Sequence, residues 1–232
     1  MMKKSTCVLI STAVLTLFLG RNLLWVRDEF GMTFALRLAL GLFNSLSIAL
    51  IVLLLEICLG TFVGFFSSIK ESKLLMLLIT TLSSIPSFMF ILPLISIHNS
   101  IFSLILGLTI HRWIGMALIV NSEVDRVKSL DYIKSARLLG RNNMWIFFKH
   151  VLPNIKSKIL IKAAFSFPRI IFFEAALSSR GIGLKYPNVS LGTLLFSGFP
   201  ALFKTPELFL MPAVIMFAIA FISNDIARSR VD

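Results

Sequence analysis

The sequence predicts an all-α integral membrane protein with six transmembrane helices, and three observations carry that prediction. Of its 232 residues, 57% are apolar and 15% charged, against about 45–50% and about 25% in a soluble domain. One core could not hide that surplus, so a bilayer must. Six apolar runs each approach the roughly 20 residues a helix needs to cross about 30 Å of hydrocarbon. The net charge of +12 punctuates those runs instead of lining a water-exposed groove beside stacking aromatics. That spacing fits membrane topology and excludes a nucleic-acid partner.

In chain order the predicted spans cover 7–24, 44–66, 74–97, 101–120, 159–177 and 208–222. The first follows Lys3 and Lys4, as a signal peptide would, but no A-x-A pattern follows Gly20, which favours a retained anchor over a cleaved leader. Residues 1–33 are read as an anchor helix with an outer connector, and 34–232 as the main transmembrane domain. The stretch 34–43 (FALRLALGLF) is expected to lie along the outer interface ahead of the second span. Pro86, Pro93, Pro168 and Pro212 fall inside spans, where they predict bends or hinges. Cys7 and Cys58 both sit in apolar runs and suggest no disulfide, metal site or lipid anchor.

Orientation follows from the excess of Lys and Arg in cytoplasmic loops. With the N-terminus inside, the inner segments hold Lys3, Lys4, Lys70, Lys73, Arg228, Arg230 and the basic residues of the loop 121–158. The outer ones hold only Arg21, Arg27, Arg37, Arg180, Lys185 and Lys204. Both termini are therefore expected in the cytoplasm.

The loop 121–158 is basic enough to stay in water, yet it carries Tyr132, Ile133, Leu138, Leu139, Met144, Trp145, Phe147 and Phe148. Two short helices are predicted. Ser129 or Asp131 can cap the first and Gly140 can end it at positive φ; Asn142 or Asn143 can cap the second and Pro153 can stop it. Part of the apolar surface can rest on the inner span ends. The rest either docks a protein groove, with Ser135, Ala136 and Gly140 small enough for close approach, or lies on lipid headgroups.

The segment DYIKSARLLGRNNMWIFFKHVLPN (131–154) resembles the cytoplasmic "EAA" loop of binding-protein-dependent ABC importer permeases, E-A-A-x-x-x-G, nine residues, then I-x-L-P. Ala136, Gly140, Leu152 and Pro153 match; Lys134 stands where Glu would be and His150 replaces Ile. The run EAALSSRGIGLKYPNVSLGTLL (174–195) is similar to a segment of the oligopeptide/dipeptide/nickel branch, with Ser179, Arg180, Ile182 and Leu191 as departures. Gly60 and Gly64 match a G-x-x-x-G of the second span. Leu77, Thr80, Leu118 and Asn121 stand where the family usually has charged residues, marking a divergent member.

The resemblance implies a permease subunit in the bacterial inner (plasma) membrane, paired with a second permease subunit, usually as a heterodimer. Two ABC ATPase subunits and an extracytoplasmic substrate-binding protein complete such an assembly. The loop 121–158 would then be the coupling loop, with Ser135, Ala136, Leu139, Gly140, Leu152 and Pro153 engaging the ATPase. The chain has no G-x-x-x-x-G-K-[ST] run to cradle phosphates, so ATP is expected on the partner subunits, with no cofactor on this chain and no enzyme activity of its own. The implied cargo is a peptide or similar small solute, or a nickel chelate.

Ionisable residues inside spans cost roughly 2.5–3.5 kcal/mol each on insertion scales, so each asks for a reason. Glu56, Arg112 and Arg169 fall at similar depth in their spans, and Glu56 is expected to pair with Arg112 or Arg169. The pair is either structural or lines a path where an arginine meets an anionic group such as a peptide carboxylate. Lys162 can snorkel to the inner end. Glu174, Gly181, Gly183 and Gly192 belong to an outer-face segment that, in the family, meets the binding protein; 191–196 can form a short helix dipping back toward the membrane. His98, His111 and His150 are scattered with no ligand spacing, so no metal site and no catalytic residue is indicated. An ion-coupled secondary transporter is the alternative class; it would usually show inverted halves, and none is evident.

Overall fold

A computed structural model describes residues 32–70, 73–97, 100–184 and 188–229. The predicted first span, 7–24, lies outside the described residues, as do Cys7, His98, Lys185 and Pro187. Nine α-helices form among the described residues: α1 Phe34–Lys70, α2 Lys73–Ser83, α3 Phe88–Ile97, α4 Ile101–Lys128, α5 Asp131–Leu138, α6 Asn143–Ile146, α7 Leu152–Ser178, α8 Leu191–Gly198 and α9 Glu207–Arg228. Four of the five remaining predicted spans each fall on one helix, and the third, 74–97, is divided between α2 and α3. Three of those helices, α1, α4 and α9, are long and apolar enough to cross a membrane singly. A fourth crossing is possible through α2 and α3 taken together. The 27-residue α7 has the length, but Lys162, Arg169 and Glu174 interrupt its apolar stretch.

The stretch 34–43 does not lie along an interface. It continues without a break into α1, whose 37 residues reach roughly 55 Å. No proline interrupts the run, and Phe34 and Leu38 find an apolar partner surface in Val189, Leu194 and Met211. Tertiary burial thus overrides the interfacial reading.

Close packing of α1 on α4 organises the bundle. A Cβ added at Gly60 would lie 2.9 Å from the Trp113 carbonyl oxygen, and one at Gly64 2.9 Å from the Val120 Cβ. The two glycines therefore let the backbones approach, as small-xxx-small pairs do in membrane interfaces. One apolar cluster joins α1, α3, α4, α7, α8 and α9 through Val52, Ile91, Leu104, Ile170, Leu191 and Met216. A second, at the end bearing α5 and α6, joins Phe65, Val120, Val124, Ile133, Phe147 and Ile155.

The predicted third span is broken: α2 and α3 meet at 79°. Hydroxyls of Thr80, Thr81, Ser83 and Ser84 donate back to carbonyls three or four residues earlier, which weakens the helical ladder ahead of Pro86. Pro93, Pro168 and Pro212, by contrast, sit within helices that continue past them.

Candidate functional site

Three constructions stand out, one at each end of the bundle and one midway. At one end, α4 passes through Leu130 into α5, whose Ile133 and Ala136 are buried against the second core cluster. Gly140 adopts φ 78°. Its N–H donates to the Arg137 carbonyl at 2.9 Å and the Arg141 N–H to that of Ala136 at 3.2 Å, the paired bonds of a Schellman stop. The Asn142 side chain accepts from the Trp145 N–H at 2.7 Å and starts α6. Two details depart from the sequence reading. Neither Ser129 nor Asp131 caps α5, because Leu130 holds the cap position and the Ser129 hydroxyl donates to the Arg126 carbonyl. Pro153 stops nothing: a π-helical turn at Phe147–Val151 runs into α7, where Pro153 occupies the first turn and needs no N–H partner.

The six residues expected to engage an ATPase divide between surfaces. Leu138 and Leu139 are 89% and 80% exposed, and Ser135 and Gly140 are exposed beside them. Ala136 faces the chain's own core, where its small size serves the seating of α5. Leu152 and Pro153 line a separate apolar groove with Ile57, Phe62 and Phe148. Arg141 stacks over the Trp145 ring at 4.7 Å, stiffening the turn that joins α5 to α6, part of a knuckle at 130–151.

Midway along the bundle, Glu56 is 1% exposed. Its Oε2 accepts from Arg112 Nε at 3.2 Å and its Oε1 from the Ser166 hydroxyl at 2.7 Å. Arg112 Nη2 donates to the Ser166 carbonyl at 3.2 Å, so α1, α4 and α7 are tied at one depth. Arg169 is not the partner of Glu56. It lines, with Glu56, Arg112, Lys162, Ser83, Ser87 and His111, a cavity of about 480 Å³. Sequence reasoning missed Lys162 as a member of this set, although its spacing of seven from Arg169, two helical turns, places both on one face of α7.

At the other end Glu174 is fully buried. Its carboxylate accepts from Ser45 at 2.9 Å and from Ser178 at 2.7 Å. The Ser45 oxygen in turn accepts from the Leu191 N–H at 3.1 Å, and that of Ser178 from the Leu184 N–H at 3.0 Å. Asn44 Nδ2 donates to the Val189 carbonyl at 2.8 Å. One carboxylate thereby fastens the connector after α7 to α1 and α7. Gly181, at φ 71°, ends α7 with a second Schellman pair: its N–H reaches Ser178 and the Ile182 N–H reaches Leu177. Gly183 packs on Ser178, and a Cβ at Gly192 would lie 2.6 Å from the Ala175 carbonyl oxygen, so α8 sits directly on α7. Ser190 and Thr193 form a capping box that starts α8. The serine partners of Glu174 were not foreseen, since nothing in the local sequence connects Ser45 with a residue 129 positions later.

Long apolar helices, a buried ion pair midway along them and an apolar turn at one end define a helical bundle of the membrane-spanning class. Residues 56–229 match the family model described as binding-protein-dependent transport system inner membrane component, and the chain belongs to that family. It is 32% identical over 193 residues to the dipeptide transport system permease protein DppC of Lactococcus lactis subsp. cremoris, covering 82% of this chain and 56% of that protein. It is 31% identical over 190 residues to the oligopeptide transport system permease protein OppC of Bacillus subtilis, covering 80% and 62% respectively. The chain thus spans under two thirds of the length of these relatives. In fold it is similar to a chain of the inward-facing MetNI methionine ABC transporter, with a TM-score of 0.63 and 18% identity over 83% of this chain and 95% of that one.

Proposed function

We propose that this chain is one of two permease subunits, in a heterodimer, of an ATP-binding-cassette importer in the bacterial cell membrane. It carries peptides handed over by an extracytoplasmic binding protein, and both its termini are cytoplasmic. The observation that carries the reading is the knuckle at 130–151: a stiff turn that presents Leu138 and Leu139 to solvent while Ile133, Ala136, Ile146 and Phe147 anchor it to the bundle. Exposed leucines on a rigid support need a protein groove, and separate ATPase subunits that bind and hydrolyse ATP supply it.

The geometry supports a lever. Below the knuckle, α4 carries Arg112 and α7 carries Lys162 and Arg169, so a push at residues 138–140 reaches one wall of the charged cavity through the uninterrupted run from α6 into α7 and the other through α5 and its junction with α4 at Leu130. The described residues 174–184 and 188–192, on the opposite end, face the binding protein. Relatives named for dipeptides and oligopeptides favour peptide cargo over a nickel chelate. The test is ATP-driven uptake of a labelled oligopeptide into proteoliposomes holding the chain, its partner permease and the ATPase, with the receptor added outside. Uptake that requires ATP and receptor supports the reading. Uptake driven by an ion gradient without ATP would replace it with a secondary transporter.

A further inference from the structure

The midway cavity holds three cations against one carboxylate: Arg112, Lys162 and Arg169 face Glu56. That carboxylate is already committed, one oxygen to Arg112 and the other to Ser166. Lys162 and Arg169 make no hydrogen bond and no ion pair among the described residues. Cations at membrane depth carry an insertion cost that an apolar wall would avoid, and they ordinarily find a partner or mark a path. Around them the cavity adds Ser83 and Ser87 from the break between α2 and α3, and His111, whose Nε2 is buried without a hydrogen-bond partner. Phe172 and Phe173 form an apolar side. About 480 Å³ matches a small-molecule site with a few convergent polar groups.

We propose that this cavity binds the carboxylate of the transported solute, with Lys162 and Arg169 as its contacts and Arg112 held in place by Glu56. The inference rests on the importer reading and adds a charge requirement to it. Two turns of α7 separate the two free cations by roughly 10.5 Å along the axis. Their long side chains can converge on one carboxylate or hand it from Arg169 to Lys162 as the solute advances. Glu56 tunes the site: by neutralising Arg112 it leaves a cationic excess large enough to attract an anion without trapping it.

The test has two arms on the assembled transporter. In proteoliposomes, uptake of tri-alanine is compared with uptake of its C-terminal amide, for the unaltered chain and for Lys162→Gln and Arg169→Gln. A charged hydrogen bond lost on each substitution predicts an acid-over-amide preference that falls roughly tenfold, read as a ratio within each variant so that a general loss of uptake cancels. Arg169→Lys, which keeps the charge, should restore most of the preference and controls for misfolding. A preference that survives both glutamine variants belongs to the receptor and overturns the inference. So does equal uptake of acid and amide by the unaltered chain.

The second arm measures the field without transport. In a chain with Cys7→Ala, Cys58→Ala and Ser87→Cys, an anionic methanethiosulfonate should modify the cavity thiol roughly tenfold faster than a cationic one, relative to a free thiol, and Lys162→Gln with Arg169→Gln should abolish that ratio. A ratio near one in the assembly means that another chain's carboxylates neutralise the cations, and overturns the inference. Absence of ATP-driven uptake of either peptide defeats the importer reading alone, and the thiol ratio then still decides whether the cavity attracts anions.

Discussion

Replacing Glu174 probes how the end bearing α8 is held. In Glu174→Ala the hydroxyls of Ser45 and Ser178 lose their acceptor, while each must go on accepting from a backbone N–H, of Leu191 and Leu184. A hydrogen bond to a charged group is worth about 1.5–3 kcal/mol in water-soluble proteins. Interhelical bonds in a bilayer average nearer 0.6 kcal/mol, because the unfolded reference also finds partners. The two bonds here are buried in protein, so about 3 kcal/mol for the pair is the working figure. Local opening of the connector after α7 should then rise roughly 100-fold. Arg180 is exposed in that connector and offers a trypsin site, so its cleavage rate reports the opening when reclosing is fast. Glu174→Gln keeps one carbonyl acceptor and should raise cleavage by less than half as much in free energy. Unchanged cleavage at Arg180 in Glu174→Ala would refute the assignment of this carboxylate as the fastening point.

Other perturbations separate packing from coupling. Gly60→Val drives side-chain carbons into Met116 and the Trp113 carbonyl; it should cost several kcal/mol, on the order of a severe overpacking change, and abolish purification of monodisperse protein. Glu56→Ala leaves Arg112 with only the Ser166 carbonyl, and breaking a buried pair from one side typically costs about 3–5 kcal/mol, read as a lowered thermal midpoint in detergent; Glu56→Ala with Arg112→Met should recover part of it. Gly140→Ala meets no neighbour within 4 Å but forces a Cβ into the left-handed region, so stability should fall by only about 1–2 kcal/mol. Gly140→Trp adds a bulk that a docked ATPase would meet, and should lower co-purification with the ATPase far more than it lowers stability.

Periodicity and charge made most of the fold legible, and the limits are physical. Helices α1, α4, α7 and α9 follow from apolar length, and Gly140 and Asn142 from cap chemistry. The extension of α1 through 34–43 was not legible, because its reason is burial against Val189, Leu194 and Met211 far along the chain. The break between α2 and α3 was written in TTLSSIPS, where four hydroxyls and a proline cooperate, but proline alone does not distinguish it from the uninterrupted Pro168 and Pro212. In the charged cavity, depth identified Glu56, Arg112 and Arg169, while choosing Arg112 as the ion-pair partner required helix rotation. Ala136 shows the same limit: that a small residue next to an exposed turn packs on the chain's own core depends on which face it takes.

On the function proposed above, the knuckle between α4 and α7 seats in a separate ATPase. The most direct measurement is cross-linking from Leu139→Cys, in a chain with Cys7→Ala and Cys58→Ala, to cysteines of the co-expressed ATPase by a short bismaleimide. One adduct containing both chains is expected, lost in Gly140→Trp. A thiol at position 139 that reacts freely with soluble maleimide yet never joins the ATPase would contradict it.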